Sequence, residues 1–150
     1  MMRKNKRTQL GLILCCLFLC ILLVGCFSSP EMQVGKSLDA RQSALNARDV
    51  DSYIKLFHPD YRYRSDEVET ITSKISKRFS AYQSIHLSTS NRRITFEENG
   101  KIARVVQQFR MVTVDKMGNR KSVEGTDHFL LKQKRSLLRS EYLFYKGLGV

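Results

Sequence analysis

Asp127 interrupts an otherwise apolar alternation, Val123, Gly125, Asp127, Phe129 and Leu131, with the two-residue period of a strand. An anion on a desolvated face is disfavoured unless a cation or hydrogen-bond donors meet it. The same desolvation prepares a carboxylate for general acid–base work near neutral pH. Gln107 stands likewise in Ala103, Val105, Gln107, Phe109 and Met111. A carboxylate and an amide are therefore expected to point inward, with Phe109 and Tyr53 as apolar neighbours in a shared pocket. Tyr61 and Tyr63, in the alternating run Tyr61-Arg62-Tyr63-Arg64, are the candidates for a hydroxyl that polarises a substrate while Asp127 acts as base. Against this stands a structural reading, in which Asp127 pairs with Arg104 or Arg110 or accepts from Tyr61 or Tyr63. The structural reading weighs more, because catalysis needs at least two positioned polar groups and the pattern defends one strongly.

Other chemistries lack their residues. His58, His86 and His128 show no metal-ligand spacing, and His58, just before Pro59, reads as a hydrogen-bonding group at a helix end. There is no Gly-rich phosphate loop and no G-x-S-x-G element, so no cofactor is implied. All four cysteines (Cys15, Cys16, Cys20 and Cys26) lie in the first 26 residues, which leaves the rest of the chain without a disulfide or a thiolate metal site. The chain carries 26 Lys and Arg against 14 acids, but the basic residues are dispersed along it, without the basic and aromatic clustering of a nucleic-acid interface.

The elements that must position these groups follow from period and capping. Val34, Leu38, Ala40, Ala44 and Leu45 recur at helical spacing from Glu31, with Lys36, Arg41, Gln42 and Arg48 expected on the surface. Asn46-Ala47-Arg48-Asp49 breaks the pattern, and Asp49 reads as the N-cap of a short second helix burying Tyr53, Ile54, Leu56 and Phe57. Tyr61–Arg64 reads as a short strand. Ser65 then caps a third helix with the stripe Val68, Ile71, Ile75 and Phe79. Beyond Tyr82 the period becomes two. Strands are predicted over Ser84–Phe96, Lys101–Asp115, Arg120–Lys132 and Leu137–Tyr145, with Asn99-Gly100 and Met117-Gly118-Asn119 as turns. Strands this long must curl to bury one face, so the expected class is α+β, helices first and a curved antiparallel sheet after.

Two resemblances add to this. Arg3, Lys4, Lys6 and Arg7 precede a 16-residue apolar run, Leu10–Gly25, short of the ~20 residues a membrane span needs. The run closes on Leu23-Val24-Gly25-Cys26, which resembles the lipobox of bacterial lipoprotein signal peptides. That resemblance implies cleavage after residue 25, acylation of Cys26, a short tether over 26–30 and a domain over 31–150. An uncleaved anchor is the alternative, while the absence of a polar face speaks against a buried core helix. By the same resemblance, Phe27 rather than Asp after the cysteine implies the periplasmic side of the outer membrane in a Gram-negative cell, and otherwise the outer face of the cytoplasmic membrane. Without residues 1–25, 22 Lys and Arg remain against 14 acids, a net charge of +8 in place of +12. Anionic lipid headgroups would attract such a surface weakly.

The segment Ala44-Leu45-Asn46-Ala47-Arg48-Asp49-Val50-Asp51-Ser52-Tyr53-Ile54-Lys55-Leu56-Phe57-His58-Pro59-Asp60-Tyr61 resembles the opening of NTF2-like (SnoaL-like) domains. The predicted strand order fits the cone-shaped fold of that family over residues 31–147. Members often carry a Trp in the last strand, where this chain has Leu137-Leu138-Arg139 and no Trp anywhere. Isomerases, dehydratases, hydrolases and non-catalytic binding domains share the fold, so the resemblance implies architecture more than activity. The reading preferred from the sequence is a lipid-anchored envelope protein whose cone binds a small apolar ligand or a protein partner without catalysis. An isomerase, dehydratase or hydrolase using Asp127 with Tyr61 or Tyr63 is the alternative, and an envelope assembly factor is another. A homodimer through the sheet is common in this fold, and the outward row Arg104, Val106, Gln108, Arg110 and Val112 is mixed enough to allow it.

Overall fold

Helix α1 (Pro30–Ala47) starts where Ser29 accepts a hydrogen bond from the Met32 N–H at 3.2 Å, with Pro30 supplying a pre-set φ at the first position. The computed structural model describes residues 28–61, 68–136 and 140–147, so the apolar N-terminal run and Cys26 lie outside the described residues. Val34, Leu38, Ala44 and Leu45 are buried on α1, as the spacing predicts, whereas Ala40 is exposed. The helix ends at Arg48, whose left-handed φ of 55° returns its N–H to the carbonyl of Leu45.

Asp49 caps α2 (Val50–Ile54), accepting from the Ser52 N–H at 3.0 Å. Tyr53 and Phe57 are buried there, and Ile54 and Leu56 half-buried. The chain then pairs with the last strand: His58 N–H donates to the Phe144 carbonyl and Phe144 N–H to the Leu56 carbonyl, both at 2.8 Å. This covers backbone groups that the edge of a sheet otherwise leaves open. Tyr61 follows in irregular backbone. Residues 62–64 of the expected short strand, Tyr63 included, and the expected Ser65 cap lie outside the described residues. In α3 (Val68–Ala81), Ile71, Ile75 and Phe79 face the core.

Four antiparallel strands follow in the order of the chain, β1 (Tyr82–Glu97), β2 (Ile102–Asp115), β3 (Arg120–Arg135) and β4 (Ser140–Lys146). The β1–β2 connection is a short helical turn over Glu98–Gly100, with all three residues at positive φ. At the β2–β3 turn the Asp115 carboxylate accepts from the Met117 N–H and from both the backbone and side chain of Asn119, and these bonds, the Asn119 side chain first, hold its carboxyl below the usual range. The start of the last strand expected at Leu137–Arg139 lies outside the described residues.

A bulge bends the sheet. Ser90 pairs with Gln108 and Arg93 with Val106, so Asn91 and Arg92 together oppose Gln107, with Asn91 at φ 50°. The extra residue reverses which side chains of β1 point inward. Ile85 and Leu87 lie in the core before it, and Ile94 and Phe96 pack against the core after it. Aromatic residues fill the space between sheet and helices: Phe129 meets Phe144 edge-on at 5.2 Å, and Tyr53 meets both Phe57 and Phe79 at 5.7 Å. Among the described residues, no helix is long and apolar enough to cross a membrane.

Asn46 explains how α1 is held to the free edge of β1. Its side-chain oxygen accepts from the Leu87 N–H at 2.7 Å, and its amide donates to the Leu87 carbonyl at 3.4 Å. Replacing Asn46 by alanine strands both backbone groups of Leu87, and urea denaturation is expected to show a loss of about 1–2 kcal/mol.

Candidate functional site

The site is assembled from three elements. The buried row of α1 runs Val34, Leu38, Arg41, Leu45, with steps of four, three and four residues, so Arg41 points at the sheet rather than at solvent. β2 and β3 supply Gln107 and Asp127, which face each other in the register. Arg41 Nη1 donates to Asp127 Oδ2 at 3.2 Å, and Gln107 Nε2 donates to the same oxygen at 3.4 Å. The side chains of Arg41 and Asp127 retain 11% and 15% of their exposure, so this is a largely desolvated ion pair. The guanidinium also lies 4.7 Å from the centroid of the Phe129 ring, where the π face favours a cation.

The bulge extends this network. It brings Arg92 beneath α1, where its Nε donates to Gln107 Oε1 at 3.2 Å and its Nη2 to Asp39 Oδ1 at 3.0 Å. Beside it, Gln42 accepts from Thr89 at 3.2 Å. Arg41 and Gln42, expected on the surface, are both turned inward. The spacing of Arg41 with Val34, Leu38 and Leu45 is the signal that could have located it.

Above the Arg41–Asp127 pair lies a cavity of about 310 Å³. Its walls are Leu45, Tyr53, Ile75, Phe79, Ile85, Leu87, Phe109 and Met111, with Thr113 and Tyr82 toward the ends of their strands and exposed Arg78 at the mouth. Asp127, Phe109 and Tyr53 thus meet in one cavity, and Gln107, only 1% exposed, lies behind Asp127. A larger depression of about 680 Å³ runs over Ser88–Ser90, Gln108–Arg110 and Glu124–Thr126. Most of its lining is exposed, and it lacks a buried polar group such as the Asp127 carboxylate, so the smaller cavity is the candidate site.

Several expected partners are elsewhere. Arg104 and Arg110 point to the opposite face of β2, where they pair with Glu97 at 2.7 Å and Glu124 at 3.2 Å. Strand parity keeps both away from Asp127. Tyr61 is fully buried, stacked on Phe57 at 4.6 Å, and does not line the cavity. Tyr63 lies outside the described residues. On β3 the expected apolar face is only partly covered, since Val123 is 38% exposed and Gly125 also faces solvent. Gly125 instead makes room for a ring: a Cβ there would stand 3.0 Å from Phe109 Cε1.

His86 and His128 are exposed, and among the described residues no three His, Cys, Asp or Glu side chains gather as a metal site. His58 is buried, and its Nδ1 accepts from the Asp60 N–H at 3.1 Å, which requires that nitrogen to be unprotonated. Burial pushes its pKa below 6.5, against the opposing pull of Asp60. The unfolded chain therefore takes up this proton first on acidification. The stability associated with the neutral ring is complete above about pH 6.5 and declines as the pH falls through that region. Between about pH 7 and about pH 5.5, the urea midpoint is expected to drop more in the wild type than in His58→Gln, whose amide has no proton to take up there.

Comparison with known proteins supports the architecture. No protein-family model matches the chain, and no curated protein matches it significantly. Solved structures do. A candidate aromatic ring hydroxylase from Novosphingobium aromaticivorans DSM is 16% identical at a TM-score of 0.66, over 79% of this chain and 87% of that one. ActVI-ORFA from Streptomyces coelicolor is 13% identical at 0.62, over 78% and 93%. A candidate dehydratase of the NTF2-like family from Streptomyces avermitilis is 12% identical at 0.57, over 77% and 91%. At these identities the likeness concerns the fold: helices on a curved four-stranded antiparallel sheet, the NTF2-like cone.

Proposed function

We propose that this chain is an exported, lipid-anchored protein whose NTF2-like cone binds a small ligand without converting it. One observation carries the binding reading. The cone keeps a cavity of about 310 Å³ with apolar walls and a paired Arg41–Asp127 at its floor, the arrangement typical of small-molecule sites. The non-catalytic reading is supported by the state of Asp127. Its Oδ2 is tied to a permanent cation and an amide, and no tyrosine hydroxyl or histidine among the described residues donates to it. General-base catalysis also needs a second group to stabilise the charge that develops on the substrate, and no such hydroxyl or imidazole stands beside Asp127 among the described residues.

The lipid anchor rests on Leu23-Val24-Gly25-Cys26 behind its basic and apolar stretches. The N-terminal half of α1 packs near the β1–β2 turn, since Ser37 donates to the Tyr142 carbonyl and the Tyr142 hydroxyl donates to the Gly100 carbonyl. The cavity lies toward the other end, beside Tyr82 and Thr113. A short tether to the bilayer would thus leave the mouth of the cone on the side away from the membrane.

Each part has its own test. Cys26→Ser is expected to abolish the processed, membrane-retained form on fractionation, and retention of the full-length variant in the membrane would argue for an uncleaved helix. For the cone, the membrane-anchored protein in lipid nanodiscs carries carbon-13 methyl labels on its methionines. Toluene is expected to displace the signal of Met111, in the cavity wall, and to leave that of Met117, 88% exposed at a turn, in place. Thr113→Trp, filling the cavity, should remove the response. An unchanged Met111 signal at toluene saturation overturns the ligand-binding reading.

A further inference from the structure

We propose that the cone selects an uncharged ligand whose head carries a hydrogen-bond donor beside an acceptor, as a primary amide does. The proposal rests on the cone being a ligand site and specifies the chemistry of its occupant. Charge is the first argument. The floor holds one cation and one anion, Arg41 with Asp127 at 3.2 Å, so its formal charge is closed, while the Arg92–Asp39 pair lies outside the cavity lining. A carboxylate head brought to this floor meets Asp127, and an ammonium head meets Arg41. Either gives up hydration without a surplus opposite charge to replace it. Arg78 is the further cation at the cavity, but it is exposed at the mouth, where water and salt screen it.

The second argument is the set of atoms left over. Arg41 and Gln107 both donate to Asp127 Oδ2, so Oδ1 accepts no hydrogen bond among the described residues. Among the described residues, Nη1 is the one Arg41 nitrogen that is hydrogen-bonded, and Nε is buried without a partner. Asp127 thus keeps an acceptor and the Arg41 guanidinium keeps donors beyond Nη1, and both residues line the cavity. A head that gives an N–H to Oδ1 and takes an N–H from Arg41 satisfies both, and unmet polar groups in such surroundings are costly. A cavity of about 310 Å³ is at the lower end of small-molecule pockets, roughly 300–1,000 Å³. It suits a single ring or a short chain behind the head.

The test uses four molecules with one body: benzamide, benzoate, benzylammonium and toluene. Each is titrated into the membrane-anchored protein in nanodiscs at neutral pH, with the Met111 methyl signal as readout and Met117 as the internal control. Benzamide is expected to bind at least about tenfold more tightly than each of the other three, equivalent to about 1.4 kcal/mol. Asp127→Asn leaves one surplus positive charge on the floor and is expected to favour benzoate. If that variant does not fold, Arg41→Gln serves as its mirror and is expected to favour benzylammonium. Equal or tighter binding of benzoate, benzylammonium or toluene to the wild type overturns the assigned head while leaving the cone a ligand site. Failure of all four to move Met111 overturns both.

Discussion

Asp127→Ala is expected to cost about 2–4 kcal/mol and to lower the melting temperature by roughly 8–15 °C. The change removes the anion from Arg41, whose side chain is only 11% exposed and whose Nε already lacks a partner among the described residues. Removing one member of a fully buried pair typically costs about 3–5 kcal/mol, and the neighbouring cavity, which water can enter, reduces that figure. The effect belongs to the uncompensated charge, so the double variant Arg41→Met with Asp127→Leu should recover much of the loss. Urea denaturation curves of the wild type, Arg41→Met, Asp127→Leu and the double variant give the coupling directly. Additive losses in that cycle would mean that the pair is not a structural unit.

Phe144→Ala is expected to be at least as damaging, at about 3–5 kcal/mol. Phe144 is fully buried, meets Phe129 edge-on, and its backbone joins β4 to the segment after α2 through two hydrogen bonds of 2.8 Å. Truncation empties a volume in the core beside Phe129, and backbone pairing on both sides of β4 keeps the surroundings from closing over it. Phe144→Leu keeps most of the volume and should cost less than half as much. Thermal and urea unfolding of the two variants check the order. The contrast with Asp127 is informative, because an apolar repair at Phe144 has no charge to remove and depends on shape alone.

Much of the frame is legible in order along the chain because it is local. The change of period near Tyr82, the Asp49 cap, and the turns at Asn99-Gly100 and Met117-Gly118-Asn119 depend on residues within a few positions of each other. Strand parity likewise puts Gln107 and Asp127 on one face, since alternation is a property of the extended backbone. The partners of Asp127 are a different matter. Arg41 lies 86 residues away, and its charge disguises its place in the buried row of α1. A long side chain can run along apolar surface and deliver its charged end wherever an anion waits, so composition alone assigns it to solvent. Arg92 is hidden for another reason. One extra residue at Asn91–Arg92 turns the following part of β1 over, and that bulge is set by pairing with β2 rather than by any strong signal in its own sequence. Local periodicity thus established the elements and the inward carboxylate of this protein. Long-range packing and the shifted register chose the cations that meet it, because ion pairing and strand pairing act between segments far apart in the chain.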